Sequence, residues 1–536
     1  MTHPFLDQLE INSNSIREIP GGWLLSGLHV SLELPEVPRR YLYSGWQSWS
    51  LTAWLEVSRL LGPMRPSSLR AMQTDPAYAA ETRPHGSWYG AVEMPDGQVL
   101  LLGALGLESH VCLEGDQTLA GWFEASEGEW FVGYGDEDEI FDQYAGLLKQ
   151  RLGSRRAQIS LRVWCSWYSL YTGIDQARLL KILHDLGGLP LDLPFDVFQV
   201  DDGWQKAIGD WEPNGKFPGG MDGMAASIKA TGRKAGLWLA PLLVVPSSSL
   251  YHNHPDWLLR NEHGRPVSAG FNWGEKLYAL DTTHPEVLVW LKALMQKMLG
   301  WGFEYVKLDF LYAGALSGHR HMEMPREAAF RQGLKAIREA LGEAYFLACG
   351  APVLPSLGLC DGLWVGPDVA GFWTSHRDDD LLMNTATPGT RNAIRTTLQR
   401  LWLQPLIQTD PDVTYFSSRL NDLTSEQKQL LQDLAQIADF KASSDVPAWL
   451  TESERAALRL FLDSKPAIQK TGRYNYALDG RSVDFSAQIG LPALPGAFTN
   501  LQGALIGGLA NVPFLMRIFN ALEKRDLEKR LAKNPV

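Results

Sequence analysis

Residues 305–310 read Tyr-Val-Lys-Leu-Asp-Phe, a short apolar run that ends in a carboxylate. Residues 197–202 (Val-Phe-Gln-Val-Asp-Asp) and 363–368 (Leu-Trp-Val-Gly-Pro-Asp) repeat the pattern. From about Ser160 onward such apolar runs alternate with amphipathic stretches, which predicts βα units and a parallel sheet. These three stretches therefore indicate an α/β fold in which carboxylates follow buried strands.

Eight strands and the helices between them can be placed along this part of the chain. The strands are predicted at Val163–Trp167, Val197–Val200, Ala235–Ala240, Tyr305–Phe310, Tyr345–Ala348, Gly362–Val365, Pro405–Gln408 and Ala438–Lys441. Predicted helices include Thr283–Leu299, where Pro285 suits the first turn, and Arg326–Leu341. The predicted fold is a (β/α)8 TIM barrel over residues 160–450, with a long insertion at Leu242–Glu304.

The segment before the barrel differs in pattern. Residues 1–135 contain short alternating segments separated by Gly, Pro and Asp-Gly turns, which predicts an N-terminal β-sandwich. Residues 136–159 are predicted to form a linker helix, with acidic residues in its first turn and an apolar stripe at Ile140, Tyr144, Leu147 and Leu148.

Residues 451–536 are predicted to form a small C-terminal region. Its Asp-Gly dipeptide indicates a hairpin over Gly472–Phe485. The apolar run at Ala504–Leu522 is interrupted by Asn511, Pro513 and Arg517 and is too mixed for a transmembrane helix. We interpret it as a docking or subunit-contact helix in preference to a peripheral membrane contact, so a homo-oligomer is a possible state.

The amino-acid composition limits the classes of molecule that the protein is expected to bind. The 536 residues carry a net charge of −12, which argues against a broad nucleic-acid or anionic-membrane surface and favours a small neutral partner. Twenty Trp and sixteen Tyr suit contacts with sugar rings, although a bulky core explains them equally well. The first ten residues do not resemble a signal peptide, and the four cysteines lack CxxC spacing, so a cytoplasmic protein without a disulfide framework is expected.

Asp309 and Asp368 are the candidate catalytic residues. Polar side chains at the carboxyl ends of barrel strands face the active-site mouth, and glycoside hydrolysis needs one carboxylic acid and one carboxylate. Lys307 shares a strand face with Asp309 and can keep it ionised, whereas the apolar surroundings of Asp368 favour the neutral acid. A carboxylate after a strand can also simply cap the next helix. The separation of the two carboxyls, which distinguishes retaining from inverting chemistry, does not follow from the sequence.

Asp201 and Asp202 can bind sugar hydroxyls or a divalent cation, because paired carboxylates are hard oxygen ligands. The histidine pairs at residues 252 and 254 and at residues 319 and 321 lack a partner motif, so we expect solvated loops there and no metal site. No GxSxG elbow, P-loop or dinucleotide-binding glycine pattern follows a predicted strand. Neither a metal nor an organic cofactor is therefore expected.

The chain resembles glycoside hydrolase family 36, the α-galactosidases and raffinose synthases, from about Trp46 to Asp412. The resemblance rests on the motifs Gly45-Trp-Gln-Ser-Trp-Ser50, Trp164-Cys-Ser-Trp-Tyr168, Val200-Asp-Asp-Gly-Trp204, Gly236-Leu-Trp-Leu-Ala-Pro241, His254-Pro-Asp-Trp257, Lys307-Leu-Asp309, Ala348-Cys-Gly350 and Gly366-Pro-Asp368. It implies a retaining hydrolase for terminal α-galactosyl residues, with Asp309 as nucleophile and Asp368 as general acid/base.

The same resemblance implies roles for other residues. Asp201 and Asp202 are expected to bind the 4- and 6-hydroxyls of the sugar, and Lys307 a neighbouring hydroxyl. The expected pocket lining is Tyr168, Trp238 and Cys349, with Trp46 or its neighbour Trp49 reaching in from the N-terminal domain.

The chain departs from the family pattern at two places. Many members carry Arg four residues before the acid/base, and this chain has Trp364 there, so Trp364 is a candidate sugar contact. The C-terminal β domain is also expected to be reduced. Trp364 keeps open a transglycosidase or a hydrolase for another α-glycoside, and a catalytically silent sugar-binding protein is the remaining alternative.

Overall fold

The computed structural model describes residues 5–58, 72, 74–156, 160–188, 192–374, 388–489, 505 and 512–536. The described N-terminal strands are β1 (Glu10–Asn12), β2 (Ser15–Ile19), β3 (Gly22–Gly27), β4 (His29–Glu33), β5 (Arg40–Ser44), β6 (Thr52–Glu56), β7 (His85–Ser87), β8 (Tyr89–Glu93), β9 (Val99–Ala104), β10 (Ser109–Glu114), β11 (Thr118–Phe123) and β12 (Gly128–Gly135). They form one sheet in the order β1-β4-β11-β10-β7-β5-β8-β9-β12-β3-β2, with β6 paired to β5.

The N-terminal domain is thus rich in β-structure, as predicted, but its strands belong to one continuous sheet and not to two separate ones. All pairs are antiparallel except β5 with β7. The sheet folds over an apolar core that includes Leu25, Leu102 and Trp130. Gly121 of β11 lies so close to the Trp130 ring of β12 that a Cβ there would be 2.8 Å from it. One curled sheet therefore provides both faces of the core.

Helix α1 (Glu137–Leu152) follows this sheet, and the carboxylate of Asp136 accepts hydrogen bonds from its first-turn backbone. Ile140, Tyr144 and Leu148 are buried, and Leu147 is half-buried. The Tyr144 hydroxyl donates to the backbone oxygen of Ala104 at 2.8 Å. The apolar stripe read from the sequence thus packs the helix against β9.

The central feature is a curled parallel sheet of nine strands. They are β13 (Leu161–Cys165), β14 (Val197–Val200), β17 (Lys234–Leu239), β21 (Tyr305–Leu308), β22 (Tyr345–Ala348), β23 (Gly362–Trp364), β24 (Gln408–Asp410), β25 (Val413–Thr414) and β26 (Phe440–Ser443). Their order is β24-β23-β22-β21-β17-β14-β13-β26-β25, so the sheet begins and ends with β24 and β25. Only Pro411 and Asp412 separate these two strands in the sequence.

Six of the eight predicted strands overlap an observed strand closely, and the eighth, predicted at Ala438–Lys441, shares only Phe440 and Lys441 with β26 because α10 extends to Ala438. The prediction of the seventh strand at Pro405–Gln408 was wrong, because residues 401–403 form a 3-10 turn and the strand starts at Gln408. The residues that form it, Gln408, Thr409 and Asp410, are polar but buried. Because these residues are polar, a prediction based on apolar runs does not detect the strand.

The described α-helices after α1 are α2 (Trp167–Leu170), α3 (Gln176–Leu186), α4 (Gly220–Lys229), α5 (Ser249–Asn253), α6 (Pro285–Gly300), α7 (Arg326–Leu341), α8 (Val353–Ser356), α9 (Thr390–Leu398), α10 (Ser425–Ala438), α11 (Glu452–Asp463), α12 (Ser486–Ile489) and α13 (Pro513–Lys533). Both helices predicted by range are present. The His284 side chain caps α6 by accepting from the Glu286 backbone, and α7 has the predicted bounds.

The remaining strands form small sheets outside the parallel one. They are β15 (Gln205–Ala207) with β16 (Asp210–Pro213), β18 (Leu243–Val244) with β19 (Ser268–Asn272) and β20 (Glu275–Ala279), and β27 (Ile468–Gly472) with β28 (Asn475–Leu478) and β29 (Arg481–Asp484). The predicted hairpin is present as β28 and β29, joined at Asp479 and Gly480 with φ of 48° and 81°. Two left-handed residues at this turn explain the Asp-Gly signal.

Helix α13 docks on the loops that follow β13 and β19. Leu531 lies so near Gly173 that a Cβ on this glycine would approach it to 2.4 Å, and Asn520 donates to the backbone oxygen of Trp273 at 3.1 Å. The predicted apolar run at Ala504–Leu522 is described only in part, because residues 504 and 506–511 lie outside the described residues. Within the described residues, no helix is long and apolar enough to cross a membrane.

Candidate active site

The predicted carboxylates lie at one edge of the parallel sheet. Asp201 and Asp202 follow β14, Asp309 follows β21, and Asp368 lies four residues after β23. Because the strands are parallel, their carboxyl ends meet at the same edge, and polar residues there share one site. The same register aligns Trp238 of β17 with Lys307 of β21.

Asp309 is held by donors on three sides. Trp238 donates its indole Nε1 to Oδ2 at 3.0 Å, and the Phe310 backbone donates to Oδ1 at 2.8 Å. Burial raises the pKa of Asp309, whereas the charge of Lys307 and hydrogen bonds from Cys349 and Trp238 lower it. Phe310, the next residue, has φ of 54°, a left-handed conformation that is unusual for a bulky side chain. The chain turns sharply behind this carboxylate.

Lys307 forms its ion pair with Asp201 and not with Asp309. Its Nζ lies 3.4 Å from Asp201 Oδ2 and 4.3 Å from the centre of the Trp364 ring. Burial opposes the charge on Lys307, but Asp201, Cys349, Cys165 and Asp309 together outweigh it and raise the pKa of the lysine well above its usual value. Asp201 Oδ2 also accepts from Gln199 Nε2 at 2.6 Å. The Lys307 charge is therefore shared between two carboxylates, with Asp201 the nearer.

Asp202 has two partners that sequence reasoning missed. The Trp273 indole donates to Oδ2 at 2.7 Å, and Gln205 Nε2 donates to Oδ1 at 2.5 Å. Burial raises the pKa of Asp202 to about 6, against the effect of these two hydrogen bonds. Trp273 lies between β19 and β20 with φ of 53°, and the only local signal is its place beside Asn272 and Gly274. The predicted insertion thus supplies a site residue.

Asp368 is half-buried, and its carboxyl receives no hydrogen bond from the residues that the structure describes. Burial raises its pKa to about 7, with Lys307 lowering the value and Asp309 and Asp201 raising it. The Tyr168 hydroxyl, expected to line the pocket, bonds instead to Asp412 Oδ2. Asp412 also accepts from the backbone of Val369 at 2.8 Å. Asp412 marked the end of the family resemblance but had no role predicted for it.

The two tryptophans from the N-terminal domain occupy different places. Trp49 packs on Phe310 with ring centroids 5.1 Å apart, and a Cβ on Gly350 would come within 2.9 Å of it. Trp46 packs instead against Tyr312, at 6.3 Å, and under the Arg326 guanidinium. Trp49 therefore packs against the residue that directly follows Asp309, and Trp46 packs against a residue two positions further along the chain.

Trp364 and Cys349 face the same interior as Lys307. Trp364 is buried, and its indole nitrogen has no acceptor among the described residues. The Cys349 thiol is buried beside Asp309, and burial followed by that negative charge raises its pKa well above the usual value. A thiol held in this neutral form acts as a donor and not as a nucleophile.

The structure describes no group of three or more His, Cys, Asp or Glu side chains that could hold a metal ion. In the histidine pairs, His254 stacks on Trp257 with centroids 3.9 Å apart, and His321 lies 4.6 Å from His284. His252, His319 and His321 are nevertheless exposed, as expected for solvated loops, and His254 is half-buried.

A cleft of about 1750 Å³ opens beside Asp202 and Trp273. Tyr171 and Thr172 form one wall, and residues of α13 such as Asn520 and Leu527 form another. Asp309 and Asp368 do not line this cleft, so it adjoins the carboxylate cluster on the Asp202 side. The C-terminal helix is thus part of the surroundings of the site.

The carboxylates can divide the tasks of acid and base. Asp368 has no described donor and a pKa near neutrality, which suits a group that donates a proton. Asp309 accepts hydrogen bonds from Trp238, Phe310 and Cys349 that favour its ionised form. Asp201, Asp202, Lys307 and Trp238 surround them with acceptors and donors suited to hydroxyl groups. The site can therefore protonate a leaving oxygen on one side and stabilise positive charge on the other.

A curled parallel sheet with this carboxylate set at its strand ends defines the chain as a carbohydrate-active enzyme of the glycosidase class. The melibiase family model matches residues 127–345. The α-galactosidase TtGalA from Thermus thermophilus, solved in complex with p-nitrophenyl α-D-galactopyranoside, is 44% identical and superposes with a TM-score of 0.84, covering 89% of this chain and 97% of that one. The chain belongs to the melibiase or α-galactosidase family, glycoside hydrolase family 36.

More distant relatives agree with this assignment. The α-galactosidase AgaA of Geobacillus stearothermophilus is 30% identical over 192 residues, which are 32% of this chain and 24% of that protein. The chain thus matches the curated relatives over about a quarter of their length. The AgaA crystal structure shares the fold at 18% identity, with a TM-score of 0.57 over 83% of this chain and 64% of that one.

Proposed function

We propose that the protein is a retaining α-galactosidase that removes terminal α-D-galactosyl residues through a covalent glycosyl-enzyme. The observation that carries the proposal is the placement of Asp309 and Asp368 after the fourth and sixth strands of one parallel sheet. TtGalA, the 44% identical relative, was solved with an α-galactoside and with stachyose, which supports galactose as the sugar.

In this proposal Asp309 attacks the anomeric carbon while Asp368 donates a proton to the departing oxygen. Asp368 then removes a proton from water, and the water oxygen displaces Asp309. The indole of Trp238 fixes Asp309 Oδ2, and the Phe310 backbone holds Oδ1. Asp201, Asp202 and Lys307 bind sugar hydroxyls. Hydrogen bonds to these hydroxyls replace those that the three side chains make within the protein.

The closure of the barrel belongs to the same proposal. The first and last strands of the parallel sheet, β24 and β25, are consecutive pieces of one chain segment. We infer that they are two halves of a seventh strand, so that the nine strands count as the eight of a (β/α)8 barrel.

Two measurements test the activity. A panel of p-nitrophenyl α- and β-glycosides should give the highest kcat/KM with the α-galactoside; an equal or higher value for the α-glucoside would refute the sugar assignment. Proton NMR of the first product should show α-galactose before mutarotation, because two inversions restore the configuration. A β-product would contradict the retaining mechanism, and transfer products at high acceptor concentration would indicate a transglycosidase.

A further inference from the structure

The parallel sheet is interrupted at one point, between β24 and β25. β24 pairs with β23, which leads to Asp368, whereas β25 pairs with β26. Asp412 lies in the gap with φ of 80°. A left-handed conformation is unfavourable at a residue other than glycine and persists only where the surroundings impose it. The contacts of the Asp412 side chain show what imposes this conformation.

The Asp412 carboxylate is almost fully buried, and its two oxygens have separate partners. Oδ1 accepts from the backbone of Val413 at 2.6 Å. Oδ2 accepts both the Tyr168 hydroxyl and the backbone N–H of Val369 at 2.8 Å. Val369 directly follows Asp368. Asp412 Oδ2 therefore holds the peptide group that links Asp368, the proposed acid/base, to Val369.

Other hydrogen bonds hold the loop further along, since Ala370 accepts from the Thr390 hydroxyl at 2.7 Å and Gly371 from the Asp422 backbone at 2.6 Å, but the contacts at Asp368 itself are fewer. The Asp368 carbonyl accepts from the backbone of Gly389 at 2.8 Å, and the Asp368 carboxyl has no described donor. The direction of the acid therefore depends on the backbone on either side of it. Gly366 and Pro367 restrict the backbone before Asp368, and the hydrogen bond from Val369 N–H to Asp412 fixes the backbone after it.

We propose that Asp412 is a positioning residue for Asp368, with Tyr168 holding Asp412 in turn. This inference rests on the proposed role of Asp368 as general acid/base. Asp412 does not contact the sugar; it fixes Val369, and through Val369 it aims the Asp368 carboxyl at the leaving oxygen. The strained backbone at Asp412 is the consequence of bringing its carboxylate back to the neighbouring strand end.

The test compares two leaving groups. D412N keeps the size of the side chain, but its amide is a donor on one side, so it must face either Val413 N–H or the Tyr168 and Val369 donors. On kcat/KM, which reports the steps up to the glycosyl-enzyme, a misplaced acid affects only substrates whose leaving oxygen needs a proton. We expect kcat/KM for methyl α-galactoside to fall roughly 10- to 100-fold, and for 2,4-dinitrophenyl α-galactoside less than about 3-fold. Y168F should show the same pattern with a smaller loss.

The matched control is D445N. Asp445 is also buried, follows the last strand, and accepts from the backbone of Phe416 and Ser417. We expect D445N to change both substrates by the same factor. If D412N or Y168F also lowers both by the same factor, Asp412 does not position the acid. Thermal unfolding checks folding, and Y168F alone decides the matter should D412N unfold.

D368A separates this inference from the proposed function. If D368A loses activity on methyl α-galactoside and retains it on the dinitrophenyl substrate, Asp368 is the acid, and the D412N result then bears on positioning alone. If D368A shows no dependence on the leaving group, the acid role fails, and the inference about Asp412 fails with it.

Discussion

Two clusters of buried carboxylates occur in this molecule, and they differ in what surrounds them. The strand-end cluster consists of Asp201, Asp202, Asp309 and Asp368 with Lys307. The interdomain cluster lies between the N-terminal sheet and α7 and consists of Asp75, Glu108 and Glu327 with Arg326. Burial raises pKa values in both clusters, to about 7 for Asp368 and about 8 for Glu327.

The interdomain carboxylates are fully engaged by the protein. Glu327 accepts the Trp88 indole at 3.1 Å and the Glu108 backbone at 2.6 Å, while Glu108 accepts the Glu327 backbone at 2.5 Å. Arg326 binds Asp75 through two parallel bonds at 2.8 and 2.7 Å. Each group thus joins one domain to the other.

Asp201, Asp309 and Asp368 lie close enough to interact electrostatically, and Asp368 has no described donor. A raised pKa alone therefore does not identify a catalytic group, because burial produces it in both clusters. What distinguishes the two clusters is position. One lies at the carboxyl ends of parallel strands, and the other closes a packed surface between an antiparallel sheet and a helix.

Replacing the proposed nucleophile should give the largest effect. Asp309→Gly should lower kcat on p-nitrophenyl α-galactoside by roughly 10⁴-fold or more, because no other carboxylate reaches the anomeric carbon. Azide should restore turnover by taking the empty space and yield β-galactosyl azide. E327Q is the control, since it replaces a buried carboxyl group of the interdomain cluster with an amide of the same size and should keep kcat within about 3-fold. A loss of activity in D309G that azide does not relieve would count against the role of Asp309.

The interdomain cluster should control stability instead, with a definite dependence on pH. The pKa of Glu327 rises from about 4.5 in the unfolded chain to about 8 in the fold, so the folded state binds more protons between these values. Its contribution to the free energy of unfolding is therefore most favourable below about pH 4.5. It decreases as the pH rises to about 8, by at most about 1.4 kcal/mol per pH unit.

Denaturant unfolding at several pH values measures this contribution. E327Q cannot ionise, so the free energy of unfolding of the wild type should fall relative to that of E327Q between pH 5 and 8. Parallel curves for the two proteins would show that Glu327 keeps an ordinary pKa in the fold.

The sequence predicted one of these clusters and not the other, for a physical reason. A carboxylate directly after an apolar run is a local signal, and the strand pattern places Asp201, Asp309 and Asp368 at one edge. Glu327 sits in the first turn of α7, where an acid is ordinary, and only its contact with Trp88, 239 residues away in the chain, buries it.

Residues whose role depends on tertiary contacts were missed for the same reason. Trp273 reaches Asp202 only through the packing of the β19–β20 hairpin, and Asp412 reaches Val369 only because two strand segments lie side by side. The buried polar strand at Gln408–Asp410 reads as a loop. The motif-borne residues, Trp238 among them, were predictable, whereas Trp273 and Asp412, which hold Asp202 and Val369, were not.

Trp273 tests how far the strand-end cluster depends on such a group. Trp273→Phe removes the donor to Asp202 Oδ2 and keeps an aromatic ring. A hydrogen bond to a charged group contributes about 1.5–3 kcal/mol, so KM for the α-galactoside should rise roughly 10-fold or more with little change in kcat. W211F is the matched control, because the buried Trp211 indole has no described acceptor although it packs on Trp238. An equal rise in KM for W211F would assign the effect to packing.

Substitution of Trp364 should give the smallest effect. It tests whether the Trp364 ring supports Lys307 or contacts the sugar. Its face lies 4.3 Å from Lys307 Nζ, and its indole nitrogen has no described acceptor, so Trp364→Phe removes part of a cation–π interaction and no hydrogen bond. Phenylalanine keeps part of this interaction. The part that is lost should contribute about 0.5–1 kcal/mol, which corresponds to a loss of about 2- to 5-fold in kcat/KM. The loss should be the same for α-galactosides with and without the 6-hydroxyl, because the ring supports Lys307 and not the sugar. A loss greater than 10-fold, or one that depends on the 6-hydroxyl, would instead make Trp364 part of the sugar-binding surface, in the place where many relatives carry arginine.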